Sequence, residues 1–291
     1  MPHKPQNTDS QEHPGIDEIK SRADSGTSSI ENKVKEEAQE VVAGARKEVE
    51  TARLPWHRVV RGGRILLAVD IVMLVLFALL AWWVYVHPVL GIDVTITKEF
   101  QENQTPWLKF LMIAVSYQGN TWPLALGLIV LAALVFWLVD LRLEAITLVL
   151  LSSVDSLLNV TIKVLIDRPR PTARLVDIIQ GAGGPSFPSG HVMSYVAYWG
   201  LLFSFGIILF RGWRWWRIAL MVVSALMFML VGPSRIYLGD HWASDVLGAY
   251  LIGGVLLVIA LWLYLFLKER GVLAPRREHS WYRQPRSHYR K

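Results

Sequence analysis

The chain has 291 residues, 53% of them hydrophobic, with 30 Lys and Arg against 24 Asp and Glu, a formal charge of +6 and no cysteine. A mean hydropathy of +0.33 and several apolar runs of about 20 residues exceed what one soluble domain hides and point to a multi-span helical membrane protein. Absent cysteine excludes disulfides and thiolate chemistry, and the basic excess lies beside the apolar runs, which fits membrane topology rather than nucleic acid.

Residues 1–28 are rich in Pro, Gly, Ser, Asp and His without periodicity and read as a disordered tail. The first 55 residues contain no short apolar segment followed by a small-residue cleavage site, so the first apolar run is expected to remain as an anchor. Over 29–54 the pattern changes. Ile30, Val34, Ala38, Val41, Ala45 and Val49 recur at steps of three or four among charged neighbours, which predicts a cytoplasmic amphipathic helix ending before Pro55. Its seam is thin, leaving self-association, a place on the membrane surface and simple solvation all open.

A membrane domain follows over 55–267, and a basic cytoplasmic tail over 268–291. Six spans are predicted, at Arg64 to Val86, Thr121 to Val139, Ala145 to Ile166, Val192 to Phe210, Ile218 to Val231 with some extension, and Val246 to Leu267. Helices are the economical choice because a lipid-exposed backbone must satisfy its own hydrogen bonds and no alternating barrel pattern is present. Tryptophans gather at the run ends, as at Trp82, Trp83, Trp122, Trp137 and Trp262, where they read as interfacial belts. Arg58, Arg61, Arg64, Arg142, Arg211, Arg214, Arg217, Lys268 and Arg270 all fall on one side, which the positive-inside rule makes the cytoplasm. Both termini are then inside, and the loops after spans one, three and five are outside.

Three short clusters map to those outer loops or the adjoining helix ends. At the end of span three, Asp155, Asn159 and Lys163 are spaced by four and share one helix face. Asp155 is expected to play a structural part there. The run Asp167-Arg168-Pro169-Arg170-Pro171 then breaks the helix and holds its arginines on a stiff turn. Arg170 is taken as the partner of Lys163, with Arg168 and Arg174 left to headgroups or solvent. At the start of span four, Ser189, Gly190 and His191 form a helix N-terminus whose free N–H groups and dipole favour an anion. There Ser189 adds a hydroxyl, Gly190 lets the backbone approach, and His191 is placed to protonate a departing ester oxygen. Taken alone, an ordinary serine cap beside an interfacial histidine would explain this cluster equally well.

Between spans five and six, Ser234-Arg235 follows Pro233, and His241 lies four residues before Asp245, so on a helix imidazole and carboxylate share a face. A carboxylate on one ring nitrogen frees the other to attack phosphorus. Asp240 is read as secondary. Histidine and aspartate also make metal ligands, but the surrounding cations would repel a divalent ion, so no metal or other cofactor is expected.

Together the lysine, six residues, Arg-Pro; Pro-Ser-Gly-His; and Ser-Arg, five residues, His, three residues, Asp resemble the signature of the type 2 phosphatidic acid phosphatase superfamily, which includes the vanadium haloperoxidases. The matching positions are Lys163, Arg170, Pro171, Pro188, Ser189, Gly190, His191, Ser234, Arg235, His241 and Asp245. The resemblance covers about Arg64 to Leu267. It implies an all-α, six-span membrane lipid phosphatase in which His241 is the nucleophile, Asp245 orients it and His191 protonates the leaving group. Lys163, Arg170, Ser189, Gly190 and Arg235 would cradle the phosphoryl oxygens. Substrates implied are a polyprenyl (undecaprenyl) pyrophosphate or a glycerolipid phosphate such as phosphatidic acid or phosphatidylglycerol phosphate, met at the extracytoplasmic face of a bacterial inner membrane. A non-catalytic lipid-phosphate binder or transporter needs cations but no nucleophile paired with an acid, and a haloperoxidase of this family is soluble.

Overall fold

The computed structural model describes residues 56–210 and 214–273, together with Lys33, Lys35 and Glu36. The chain divides into two units, Met1–Glu50 and Thr51–Lys291. In the first, the three described residues are helical and exposed. The rest of the expected amphipathic helix, its self-association and the tail before it lie outside the described residues, as does the basic tail after position 273.

Among the described residues of the second unit every regular element is helical. In chain order they are α1 (Trp56–Val86), α2 (Gly91–Gln101), α3 (Pro106–Asn120), α4 (Trp122–Leu138), α5 (Arg142–Ile166), α6 (Gly190–Tyr195), a π-helical turn (Val196–Gly200), α7 (Leu201–Ile208), α8 (Trp215–Tyr237) and α9 (Ala243–Glu269). The stretch Gly190–Ile208 runs as one helix, with α1, α5, α8 and α9 the other four long and apolar enough to cross a membrane. A sixth candidate is the pair α3 and α4, bent by 74° at Thr121.

Burial orders these helices. Gly190–Ile208 has 61% of its apolar window buried against 11% for Arg64–Val86, so the former is the central post and the latter a peripheral one. The core gathers on Phe187, Val192, Met193 and Val196, packed by Val231 from α8 and by Val246 and Ile252 from α9. Leu80 faces Gly248 and Met73 faces Gly254, so α1 and α9 run antiparallel. The outer faces of α1 and α4 carry exposed Leu, Ile and Val, and Trp82, Trp122, Trp137 and Trp262 stand exposed as well. Such a surface suits acyl chains and interfaces, not water.

Two helices stand where a loop was expected. The segment after span one contains α2 and α3. α2 buries Asp93, Thr97 and Gln101 at steps of four, a polar stripe turned inward. An amphipathic helix is ordinarily recognised by a buried apolar stripe, and this one reverses that sign. Its Gln101 amide donates to the carbonyls of Asp177 (2.7 Å) and Tyr237 (3.0 Å) and accepts the Asp177 N–H (3.0 Å), tying together two loops that lead into the site.

Candidate active site

The site is assembled at one end of the bundle from three chain segments. α5 presents Lys163 on its last turn and stops where Asp167 enters the left-handed region at φ 43°. Beyond it Arg168-Pro169-Arg170-Pro171 runs off extended, as prolines restrict the residues before them. Lys163 Nζ donates to the carbonyls of Pro185 (2.5 Å) and Ser186 (3.3 Å), and Arg170 Nε donates to Gly184 O (2.9 Å). These two cations thereby fix the glycine-rich loop that leads to Ser189.

Ser189 is the N-cap of the central helix, yet its hydroxyl makes no capping bond. That hydroxyl is buried and has no partner among the described residues. A buried polar atom left unpaired is costly, so this one is available to a ligand oxygen. Asn159, one turn before Lys163, donates to Pro188 O at 3.3 Å, and its own oxygen lies 3.0 Å from where a Cβ on residue 190 would sit. Gly190 thus lets the helix start pass beneath α5. Asp155, a further turn down, is 2% exposed and has one carboxyl oxygen without a described partner.

Helix α8 does not break at Pro233 but continues to Tyr237, because Ser234, Arg235, Ile236 and Tyr237 are all buried against neighbours. Arg235 therefore projects from a last helical turn, not a loop. Its guanidinium contacts Ser116 Oγ, Asn120 Oδ1 (3.2 Å) and the Asp240 carboxylate. Asp240 also accepts from Arg170 Nη1 at 2.9 Å, through both its side chain and its carbonyl. Far from secondary, Asp240 is the clamp that spaces the two arginines. The turn carrying it depends on Gly239, at φ +72°, where a Cβ would meet Asp177 O at 2.1 Å.

His241 is 1% exposed and precedes α9 rather than lying on it. The expected helical face is replaced by a cap: Trp242 is the N-cap, and Asp245, three residues on, accepts its backbone N–H at 2.8 Å. The chain turning over that cap brings His241 Nδ1 to 3.5 Å from Asp245 Oδ2, while Nε2 faces Arg170 Nη1 at 3.4 Å and Asp240 Oδ2 at 3.7 Å. Burial holds the imidazole far below its usual range, to about 3, and the Arg170 and Arg235 charges push the same way against the upward pull of Asp245. His241 is consequently neutral near pH 7, with its Nε2 turned to the Arg170 guanidinium.

That shift has a measurable consequence. Between about pH 3 and the ordinary histidine value of 6.5 the unfolded chain binds a proton at position 241 that the folded chain refuses. Stability from this group is complete above that window and is lost as pH falls through it. The melting temperature in detergent should fall less steeply below pH 6.5 in His241→Gln than in the parent. Equal slopes would place His241 in an ordinary environment.

Asp245 is held more firmly than the sequence indicated. Arg168 Nη1 donates to its Oδ1 at 2.6 Å and Ser186 Oγ donates to its Oδ2. Arg168, expected to meet headgroups or solvent, has a fully buried side chain. It also bonds Asp93 Oδ2 (2.7 Å), Pro88 O (2.8 Å) and Ser244 Oγ (2.7 Å), and Asp93 accepts the Ser244 N–H (2.9 Å) and hydroxyl (2.6 Å). One guanidinium thus locks the start of α9 to α2.

His191 completes the cluster. Its Nε2 lies 2.7 Å from Asn120 Oδ1, and one ligand atom each from His191, Asp240 and His241 fall within 4.8 Å of one another. All eight residues singled out as site residues therefore converge. Asp93, Ser116, Asn120, Arg168 and Asp240 join them without having been anticipated in those roles.

The sequence profile of the PAP2 superfamily matches residues 142–269. Phosphatidylglycerophosphatase B of Bacillus subtilis (strain 168) is 29% identical over 179 residues, covering 61% of this chain and 85% of that protein. The putative undecaprenyl-diphosphatase YbjG of Escherichia coli (strain K12) is 27% identical over 188 residues, covering 62% and 84% respectively. Among solved structures, a transmembrane PAP2 type phosphatidylglycerolphosphate phosphatase from Bacillus subtilis superposes with a TM-score of 0.57 at 25% identity, covering 72% of this chain and 98% of that one.

Proposed function

Because the chain belongs to the PAP2 superfamily, we propose that it is an integral-membrane lipid phosphatase that hydrolyses a lipid phosphate or pyrophosphate without a metal ion, through a phosphohistidine on His241. The observation that carries this reading is the neutral, buried imidazole whose Nε2 faces the Arg170 guanidinium, with Arg235 held alongside through Asp240, while Asp245 stands behind Nδ1.

The chemistry then follows from the groups at hand. Lys163, Arg170 and Arg235, with the Ser189 hydroxyl and the Gly190 N–H, hold the phosphoryl oxygens and balance charge as it spreads over them. Asp245, fixed by Arg168, Ser186 and the Trp242 N–H, keeps the His241 proton on Nδ1. Nε2 attacks phosphorus, the bond to the ester or anhydride oxygen breaks, and that oxygen takes a proton from His191. A water deprotonated by His191 next attacks the phosphohistidine, releasing phosphate and His241.

His191, Asp240 and His241 are spaced as metal ligands might be in isolation. The Asp240 carboxylate is already engaged by Arg170 and Arg235, and two guanidiniums with the Lys163 ammonium repel a dication. The set suits an anion. The site end of the bundle is read as extracytoplasmic, since Arg142, Lys268 and Arg270 sit at the opposite ends of α5 and α9. On this reading α4, about 25 Å long at 1.5 Å per residue, provides the crossing of the bent pair and gives six spans in a bacterial inner membrane, termini cytoplasmic.

Phosphate release in detergent micelles containing a chelator tests this directly, with a polyprenyl pyrophosphate, phosphatidic acid and phosphatidylglycerol phosphate offered separately. At least one should be cleaved at a rate the chelator leaves unchanged, and the preferred lipid defines the substrate class. Loss of release on chelation would overturn the metal-free reading. No release from any of the three by folded protein would overturn the phosphatase reading.

A further inference from the structure

Ser116, Gly119 and Asn120 close the end of α3, outside residues 142–269 and in none of the three sequence clusters. Asn120 Oδ1 lies 2.7 Å from His191 Nε2 and 3.2 Å from Arg235 Nη1. A guanidinium only donates, so the atom facing Arg235 is the amide oxygen, and its second partner must donate too. His191 therefore carries a proton on Nε2. Gly119 supplies the room: a Cβ there would fall 2.1 Å from His191 Cδ2 and 2.8 Å from Nε2, so the ring rests against bare backbone.

We propose that Asn120, with Gly119 beneath the ring, is a positioning residue for the proton-donating step, holding His191 with a proton on Nε2 beside the Arg235 guanidinium until the leaving oxygen takes that proton. The inference rests on His191 being the acid of the reading above. An amide oxygen suits the task because it accepts the His191 N–H while Arg235 holds it in place. Its bond to Arg235 registers the acid against a group that grips the phosphoryl oxygens. In the step concerned, the negative charge of the bound phosphate holds His191 as an imidazolium, the His241 Nε2–P bond forms, the P–O bond breaks and the His191 Nε2 proton moves to the departing oxygen, leaving a neutral imidazole with its remaining proton on Nδ1.

Leaving-group release in a single turnover isolates that step. Phosphatidic acid has an alkoxide leaving group that needs the proton, whereas p-nitrophenyl phosphate has an aryl oxide that leaves without it. Asn120→Ala should slow release from phosphatidic acid by about 100-fold and release from p-nitrophenyl phosphate by less than about fivefold, with KM for both little changed. Gly119→Ala should give the same selective loss by pushing the ring aside, and Asn120→Asp, which keeps an acceptor oxygen, should recover most of the rate on phosphatidic acid. His191→Ala provides the reference. If it is selective and Asn120→Ala slows both substrates equally, or neither, the positioning role is overturned while the acid assignment stands. If His191→Ala itself slows both equally, the acid assignment fails and the proposal fails with it. Asn120→Asp behaving like Asn120→Ala would also count against it, since an acceptor would then not be what matters.

Discussion

Replacing His241 with alanine should lower turnover by about 10⁴-fold or more, because the covalent route disappears with the imidazole that carries it. His241 Nε2 stands 3.4 Å from Arg170 Nη1, and Arg170 and Arg235 are spaced by Asp240, which does not depend on the imidazole. Anion binding should therefore survive. The measurement is phosphate release from the preferred lipid alongside the melting-temperature rise given by inorganic phosphate or vanadate. Turnover within tenfold of the parent would remove His241 from the chemistry. Loss of the ligand-induced stabilisation as well would mean that the imidazole shapes the pocket instead of reacting in it.

The second large effect is expected at Arg168. Its buried guanidinium sits between Asp93 and Asp245, themselves no more than 2% exposed, so Arg168→Ala strands two carboxylates. Removing one partner of a buried charge set costs about 3–5 kcal/mol, and here it also frees Asp245 from the bond that orients it toward His241. Turnover should fall about 10³-fold or more if Asp245 acts like the orienting carboxylate of other triads. Arg168→Lys should recover little, because an ammonium cannot reproduce the fork that reaches Asp93, Asp245, Ser244 and the Pro88 carbonyl together. Adding Asp93→Asn to Arg168→Ala should restore part of the stability by removing one stranded charge, with little return of activity. Thermal unfolding and turnover of the three variants provide the check. A parent-like melting temperature in Arg168→Ala would contradict the bridging role.

The chain discloses its site unevenly, and the reasons are physical. Lys163, Arg170, Ser189, Gly190, His191, Arg235, His241 and Asp245 are legible because short spacings between unlike chemistries, set at the ends of apolar runs, leave few structural explanations. Arg168 and Arg170 share a motif and a charge, and sequence alone gives no means of knowing which one is swallowed by Asp93 and Asp245. Asp240 was passed over on the premise of a helix through His241; the helix starts at Ala243, and the turn before it brings the carboxylate between two arginines. The polar stripe of α2 is invisible to any search for buried apolar residues, although Asp93, Thr97 and Gln101 at steps of four were a signal available to a search for buried polar ones. Gly119-Asn120 offered no local signal at all. Its meaning depends on the 74° bend with α4 and on a histidine 71 residues further along.

The most direct test of the central claim is the residue that carries phosphate during turnover. In His191→Ala, supplied with p-nitrophenyl phosphate so that the missing acid does not block the first step, the second step lacks its base and the covalent species should accumulate. Alkaline quenching preserves phosphohistidine, and peptide mass spectrometry locates it. A phosphoryl group on His241 is the expected result. Nitrophenol release from that variant with no phosphorylated His241, or with the label on another residue, would contradict the phosphohistidine mechanism.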